Sequence, residues 1–348
     1  MEKENQQLLL SDFDFYLPEE LIAQDPLKKR DNSRLLIVNR KDNSLQDDYF
    51  YNILKYLKKG DVLVRNNSKV IPARLFGYKS DTKGHVEILL LKQESEKVWE
   101  CLIKGVKKVK IGTIIIFDEN LLKAEVLDIF ENGRCKIKLY YKGIFVEILN
   151  KLGTMPLPPY IKKHLDDQSR YQTVYAKIDG SAAAPTAGLH FTNELLDKIQ
   201  QQGIEILDVT LHVGLGTFRP VEEENVLNHH MHEEYYTISK EVAERLNLAK
   251  KEKRRIISVG TTSTRVLETV FNKYQKFQED SGFTNIFIYP GKELKAIDGL
   301  ITNFHLPKST LIMLVSALAG KDLIFKAYEH AVKEKYRFFS FGDAMLIL

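Results

Sequence analysis

The densest group of titratable side chains lies in one short segment in the second half of the chain. It contains three histidines and two carboxylates: His229, His230, His232, Glu233 and Glu234. Imidazoles titrate near neutral pH and carboxylates orient them, so this pattern favours acid–base catalysis or substrate contact. A solvated surface is the main alternative. A zinc or iron site is a weaker one, because helical metal-ligand pairs are spaced i, i+4 whereas His229 and His232 are spaced i, i+3.

Three other segments place small or hydroxyl residues where a strand or loop passes into a helix. Their sequences are AAPTAGLHFT (183–192), SVGTTSTRVLE (258–268) and NFHLPKSTL (303–311). The candidate binding residues in them are Thr186, His190, Thr261, Thr262, Ser263, Arg265, Asn303, Phe304 and His305. Free amides at a helix start, together with hydroxyls, are good partners for a carboxylate or phosphate. A capped helix or a tight loop without a ligand is the alternative for each segment.

The segment LHVGLGTF (211–218) is a predicted strand that runs into two glycines. Its candidates are His212, Gly214, Gly216, Thr217 and Phe218. The dinucleotide-binding pattern G-x-G-x-x-G is excluded, since it needs a third glycine where Arg219 stands. Small residues admit a ligand here and Phe218 could stack on a purine, whereas an ordinary glycine-rich turn is the alternative. Near the C-terminus, YRFFSFGDAML adds Arg337 and Asp343 as candidates.

The amino-acid composition limits the classes of protein to which this chain can belong. The chain has 348 residues, with 44% hydrophobic and 28% charged, which is typical of a folded globular chain of two domains. Lysine and arginine number 51 and acidic residues 47, so any nucleic-acid contact must come from a local patch. Two cysteines exclude a disulfide scaffold and a cysteine-rich zinc site, and they favour a cytoplasmic protein. The longest largely apolar stretch, 311–319, is too short to cross a bilayer.

The pattern of apolar residues and turn signals changes twice along the chain, and these changes predict its domains. From Val70 to about Tyr141, short segments rich in Val, Ile and Leu are separated by turn signals, which indicates five or six strands of a small barrel. After about residue 181, strands alternate with helices, which is typical of a mostly parallel sheet. We therefore predict an α/β fold, a mostly parallel sheet with flanking helices, plus a smaller inserted all-β barrel domain. The predicted bounds are 1–67 and 155–348 for the α/β catalytic domain and 68–154 for the barrel.

Several elements of the α/β part have clear local signals. Thr192, Ser239 and Ser309 precede helical patterns and are expected to cap them. A buried strand is predicted over Ile256–Val259, and a further strand over Ile286–Tyr289.

The candidate segments occur together with three others: DFDFYLPEELIAQDPLKKRDNSRLL (12–36), VIPARLFG (70–77) and GTMPLPPYI (153–161). In this order they resemble the S-adenosylmethionine:tRNA ribosyltransferase-isomerases of queuosine biosynthesis. The resemblance extends from about Ser11 to Ile347, and it implies an α/β domain with a smaller β-barrel.

The resemblance also implies a reaction. The ribosyl moiety of S-adenosylmethionine is transferred and isomerised onto 7-aminomethyl-7-deazaguanine at the wobble position of tRNAs with GUN anticodons. Epoxyqueuosine-tRNA forms, and adenine and methionine are released. S-adenosylmethionine is a consumed co-substrate, so we expect no cofactor and no metal. We also expect a cytoplasmic monomer without membrane contact.

The expected roles follow from this chemistry. His229 and His232 are expected to act as acid and base, with Glu234 as their orienting group. His190, His212 and His305 are expected to lie around the donor.

Binding roles are expected for the remaining candidates. Arg265 and the loop from Thr261 to Ser263 would hold the methionine carboxylate, and Phe218 or Phe304 would stack on adenine. Asp343 and Arg337 would meet the modified base or the tRNA. Barrel lysines, Lys107 and Lys108 among them, would contact tRNA phosphates.

Two other functions remain open from the sequence. An S-adenosylmethionine-dependent RNA methyltransferase would produce S-adenosylhomocysteine. An RNA-binding protein without catalytic activity would bind tRNA and leave S-adenosylmethionine unchanged.

Overall fold

The computed structural model describes residues 8–130, 134–163, 165–214, 221 and 223–348, and these form eighteen strands and six α-helices. The strands are β1 (Arg34–Asn39), β2 (Ser44–Tyr49), β3 (Val62–Asn66), β4 (Ser68–Val70), β5 (Arg74–Lys79), β6 (His85–Ser95), β7 (Val98–Lys104), β8 (Ile114–Asp118), β9 (Leu122–Ile129), β10 (Arg134–Tyr140), β11 (Gly153–Thr154), β12 (Ile178–Ser181), β13 (Glu205–Leu211), β14 (Glu234–Ile238), β15 (Ile256–Val259), β16 (Asp280–Thr284), β17 (Gly299–Asn303) and β18 (Ala344–Ile347). The helices are α1 (Phe145–Leu152), α2 (Asn193–Gln201), α3 (Lys240–Lys251), α4 (Gly260–Tyr274), α5 (Thr310–Ala319) and α6 (Lys321–Lys333).

The chain divides into two units. The first comprises the chain up to Lys69 together with Pro159–Ile178 and Ala184–Leu348, and the second comprises Val70–Pro158 with Asp179–Ala183. None of the helices in the described ranges is both long and apolar enough to span a membrane.

A single sheet organises the first unit. Its nine described strands follow the order β16-β14-β13-β3-β15-β17-β18-β1-β2. The prediction of a mostly parallel sheet holds for the centre, where β13, β3, β15 and β17 are parallel neighbours, and for β1 with β18. The other four pairings are antiparallel, so the sheet is mixed. At the β1–β2 edge the reason is chain length, because residues 40–43 are too few for the crossover that a parallel pair needs.

The predicted strand over Ile286–Tyr289 is wrong. The strand lies earlier, as β16, where Asp280–Thr284 pairs with β14. The apolar residues after it serve packing instead: Ile288 is buried, and the rings of Phe287 and Tyr289 lie 5.0 Å apart.

Both faces of the central strands are covered. Leu63, Ile257 and Ile301 belong to a core that includes Leu195 and Ile199 of α2. Intervening residues of the same strands, such as Val64 and Leu300, are also fully buried. Strands covered on both faces read as continuous apolar runs, which explains why Ile256–Val259 was predictable as a strand.

Three helix starts are capped as predicted. The side chains of Thr192, Ser239 and Ser309 accept backbone N–H groups at the first turns of α2, α3 and α5. Helix α4 differs, because the residue before it, Val259, provides no side-chain cap and its first residue, Gly260, has φ of +85°. Only glycine adopts this conformation without strain.

The second unit contains a closed barrel. Its six described barrel strands follow the order β5-β6-β7-β10-β9-β8, and β8 pairs back with β5. All pairings are antiparallel. Alternate residues fill the interior together with Ile148 and Leu149 of α1. Cys101 and Cys135 are buried and lie opposite each other on β7 and β10.

Candidate functional site

A cavity of about 230 Å³ opens where β13, β15 and β17 reach their carboxyl ends. We call it the α4 cavity. Its lining includes Tyr160, Thr186, Val213, Gly260, Thr261, Thr262, Thr302, Asn303, Phe304, His305, Phe339 and Ser340. Six of the predicted site residues are among them: Thr186, Thr261, Thr262, Asn303, Phe304 and His305. Parallel strands end at one edge of their sheet, which brings together segments that are far apart in sequence.

The start of α4 presents polar groups to this cavity. Its first amides lack a side-chain cap, and the buried Thr262 Oγ1 has no hydrogen-bond partner within the described part of the chain. The next hydroxyl is used differently, since Ser263 Oγ donates to the Val259 carbonyl at 2.9 Å. The Ser263 hydroxyl is therefore used in a hydrogen bond to the backbone, whereas Thr262 Oγ1 is available to a ligand.

Asn303 has a fixed orientation. Its Nδ2 donates to the Phe339 carbonyl at 3.1 Å and lies 3.1 Å from His190 Nε2. Because a carbonyl can only accept, Nδ2 is the nitrogen side of the amide, and His190 Nε2 must accept. His190 Nδ1 then carries the proton and donates to Ser33 Oγ at 2.8 Å. The buried Asn303 Oδ1 has no partner among the described residues, so it is an oriented acceptor.

Two of the predicted histidines are neutral. Burial lowers the pKa of His190 to about 3, with the charges of Arg337 and Arg30 adding to the effect. Burial also lowers the pKa of His305 to about 3. His305 Nε2 lies 2.8 Å from Thr302 Oγ1, and its backbone N–H donates to the Tyr328 hydroxyl. Both rings therefore serve as uncharged hydrogen-bonding groups at neutral pH.

The aromatic wall is built mainly from the C-terminal segment. Phe304 is fully buried and packs against three rings, those of Tyr328, Tyr336 and Phe338. Phe339 has φ of +71° and its ring lies 4.8 Å from that of Tyr160. Phe304 is thus held in the core by its neighbours.

Glu234 and Arg265 form a buried ion pair. Glu234 Oε2 accepts from Arg265 Nη1, and Oε1 accepts from the Gly214 N–H at 2.8 Å. These contacts join β14, α4 and the end of β13. Arg265 Nε and Nη2 are buried without a partner among the described residues, and neither Arg265 nor Glu234 is a described lining residue of the α4 cavity.

The other predicted histidines lie outside the described cavity lining. Burial lowers the pKa of His229, and the nearby charges of His232 and His230 lower it further. The His229 ring packs against Phe287 at 5.4 Å. His212 directly follows β13 and stacks on Tyr235 at 6.1 Å.

Asp343 and Arg337 hold the C-terminal loop in place. Asp343 is buried, and its two oxygens accept the backbone N–H groups of Arg34 and Arg337. Burial raises the pKa of Asp343. The Arg337 guanidinium donates to the Asp25 carbonyl. The structure therefore places Asp343 inside the first unit and not on its surface.

Some candidates cannot be placed, and some lining residues were not predicted. Gly216, Thr217 and Phe218 lie outside the described residues. The unpredicted lining residues include Tyr160, Thr302, Ser309, Phe339 and Ser340. The hydroxyls of Tyr160 and Ser340 are hydrogen-bonded at 2.7 Å. The two residues are 180 positions apart, so no local sequence pattern indicates this contact. Within the described ranges, no group of three or more His, Cys, Asp or Glu side chains is arranged to hold a metal ion.

Comparisons with known proteins agree on one family. Residues 10–347 match the family model described as queuosine biosynthesis protein. S-adenosylmethionine:tRNA ribosyltransferase-isomerase of Thermoanaerobacter sp. (strain X514) is 60% identical over 97% of this chain and 99% of its own length. Its counterpart in Caldanaerobacter subterraneus subsp. tengcongensis is 58% identical over the same shares. The crystal structure of S-adenosylmethionine tRNA ribosyltransferase from Thermotoga maritima, 40% identical, aligns with a TM-score of 0.56 over 97% of this chain and 100% of that one.

Proposed function

The chain belongs to the S-adenosylmethionine:tRNA ribosyltransferase-isomerase family of queuosine biosynthesis, and on this premise we propose that its donor substrate binds in the α4 cavity. The enzyme transfers and isomerises the ribosyl moiety of S-adenosylmethionine onto 7-aminomethyl-7-deazaguanine at the wobble position of tRNA. The products are epoxyqueuosine-tRNA, adenine and methionine. The observation that carries the proposal is a pair of buried polar atoms without a partner in the described chain, Thr262 Oγ1 and Asn303 Oδ1, both in residues that line one cavity.

The methionine end of the donor is assigned to the start of α4. Its uncapped amides and the hydroxyls of Thr261 and Thr262 would bind the carboxylate, since a helix N-terminus favours negative charge. Arg265 is one turn further along the same helix and is bound to Glu234. It therefore supports this end of the helix, in place of the direct carboxylate contact expected from the sequence.

Asn303 is assigned to a donor group of S-adenosylmethionine, either an N–H of its ammonium or amine or a ribose O–H. Because Nδ2 is occupied by Phe339 and His190, the atom left for a ligand is Oδ1, an amide oxygen that can only accept. His190 thus positions the amide and transfers no proton. The apolar walls from Ala184 to Ala187 and from Phe339 suit the adenosine portion.

The acid–base steps are assigned to His229 and His232. The reaction needs a base that takes a proton from the 5′ carbon next to the sulfonium, and an acid that protonates the leaving adenine. A histidine with a lowered pKa, such as His229, is neutral at pH 7 and can accept a proton.

The barrel is assigned to tRNA. Lys104, Lys107 and Lys110 are exposed on it, and positive side chains bind phosphates. We further propose that the substrates are tRNAs with GUN anticodons, that the enzyme is a cytoplasmic monomer, and that no metal or cofactor takes part.

One assay tests the reaction. The protein is incubated with S-adenosylmethionine and tRNA carrying 7-aminomethyl-7-deazaguanine, in the presence of EDTA. The expected result is one adenine and one methionine per epoxide-containing nucleoside. S-adenosylhomocysteine would indicate methyl transfer, and tRNA binding with no change in S-adenosylmethionine would indicate a binding protein; either result contradicts the proposal. Loss of activity that only an added divalent ion restores would contradict the metal-free part.

A further inference from the structure

Three aromatic rings stand in one row across adjacent strands of the sheet. His212 follows β13, Tyr235 lies on β14 and Phe283 on β16. The His212 N–H donates to the Tyr235 carbonyl at 2.9 Å, and Tyr235 is directly opposite Phe283 in the β14–β16 register. The His212 and Tyr235 rings are nearly parallel, at 13° and 6.1 Å. The Tyr235 and Phe283 rings lie 5.4 Å apart at 64°.

Two rings of the row, those of Tyr235 and Phe283, face solvent, and His212 at its inner end is only partly exposed. Tyr235 is 37% exposed and Phe283 is 51% exposed. Their neighbours along β14, Glu234 and Tyr236, are each 2% exposed and point to the other face, where Glu234 pairs with Arg265 of α4. Side chains alternate between faces along a strand, so one face of this edge is core and the other is an aromatic surface.

The row begins next to the α4 cavity. His212 immediately precedes Val213, which lines that cavity, and the Gly214 N–H donates to Glu234, the residue before Tyr235 on β14. A macromolecular substrate whose reacting base enters the cavity therefore brings its neighbouring nucleotides towards the same edge. Bases in an RNA loop are unpaired, and exposed rings on a sheet bind such bases by stacking.

We propose that His212, Tyr235 and Phe283 form a stacking surface for unpaired nucleotides of the tRNA anticodon loop. The inference rests on the proposed placement of the reaction in the α4 cavity. Stacking involves no phosphate, so this surface contributes affinity for the loop without contributing to the salt dependence of binding.

The test is the double variant Tyr235→Ala/Phe283→Ala, with tRNA binding measured by fluorescence anisotropy at several salt concentrations. We expect affinity to fall about five- to hundredfold per stacked ring, with an unchanged salt slope. The dissociation constant for S-adenosylmethionine should not change. Tyr235→Phe, which keeps the ring, should bind tRNA like the wild type.

The chain offers a matched control at the opposite edge of the sheet. Tyr49 and Tyr51 stack at 5.4 Å and 4° and are 46% and 45% exposed. Tyr49→Ala/Tyr51→Ala removes as much exposed aromatic surface and should leave tRNA affinity unchanged. Circular dichroism confirms that both double variants are folded.

The outcomes separate this proposal from the proposed function. Wild-type adenine release with unchanged tRNA affinity in Tyr235→Ala/Phe283→Ala would overturn the stacking surface alone. If the wild type releases no adenine, the proposed function fails, and the affinity comparison still decides the surface. A wild-type dimer that becomes monomeric in this variant, with tRNA affinity unchanged, would assign the rings to self-association and also overturn the proposal.

Discussion

Asn303 Nδ2 lies 3.1 Å from His190 Nε2, and this contact converts a buried histidine into a support for a ligand-binding amide. The two residues are 113 positions apart in sequence. Ser33 completes the chain by accepting from His190 Nδ1. The arrangement orients one acceptor, Asn303 Oδ1, in the lining of the α4 cavity.

Asn303→Ala should weaken S-adenosylmethionine binding about tenfold or more, because it removes that acceptor. His190→Gln should weaken it in the same direction by releasing the amide. Since His190 acts through Asn303, the double variant should be no weaker than Asn303→Ala alone. Isothermal titration calorimetry measures all three. Fully additive losses would show that His190 contacts the ligand independently. Asn247→Ala, which removes an amide bound to Phe277, controls for the loss of a structural amide.

Thr262→Val should weaken S-adenosylmethionine binding and leave thermal stability nearly unchanged, because Thr262 Oγ1 has no partner in the described chain. The matched variant is Thr264→Val, two residues along. Thr264 Oγ1 bonds Ser258 Oγ at 3.0 Å and the Gly260 carbonyl at 3.2 Å, so this variant should lose stability. Binding and melting temperature are measured for both. Wild-type binding by Thr262→Val would exclude this hydroxyl from the site.

Glu234→Gln should destabilise the fold by about 3 kcal/mol, since it leaves the buried Arg265 charge uncompensated. Glu234→Gln/Arg265→Met removes both charges and should recover much of that loss. Urea denaturation provides the comparison. A Glu234→Gln protein as stable as the wild type would mean that the ion pair does not hold β14 to α4.

Stability should fall as the pH drops below about 6.5. The folded-state pKa values of His190 and His305 are lowered to about 3, so the unfolded chain binds more protons between pH 6.5 and 3. Each histidine therefore favours folding fully above pH 6.5, and this contribution is lost at about 1.4 kcal/mol per pH unit as the pH falls towards 3. The free energy of unfolding of His305→Gln, measured by urea denaturation between pH 6.5 and 4, should depend less steeply on pH, with a slope smaller by that amount. An unchanged slope would contradict a neutral, buried His305.

Lys107→Ala/Lys110→Ala should weaken tRNA binding and reduce its salt slope by about one for each phosphate that a lysine no longer neutralises. The comparison is Lys251→Ala/Lys253→Ala, in a second basic run over residues 250–255 at the end of α3, which should leave the slope unchanged. Anisotropy titrations over a range of salt concentrations measure both. A slope change only in the second variant would move the phosphate-binding surface from the barrel to α3 and the turn after it.

The sequence alone established the family, the alternation of strands and helices, the barrel and the three capped helix starts. These features depend on local patterns: periodicity of apolar residues, cap residues and ordered motifs. It also singled out Thr261, Thr262, Asn303 and His305, because residues at strand ends share one edge of a parallel sheet.

Only the tertiary structure decided which candidates share a cavity. Glu234, expected to orient histidines, pairs with Arg265, and Asp343 bonds two backbone amides inside the fold. Tyr160 joins the cavity from a segment with no chemical signal of its own. These contacts join residues far apart in the chain, and their geometry depends on packing and burial, which spacing along a sequence does not encode. The same burial decides that His190 stays neutral although its residue type suggests acid–base chemistry.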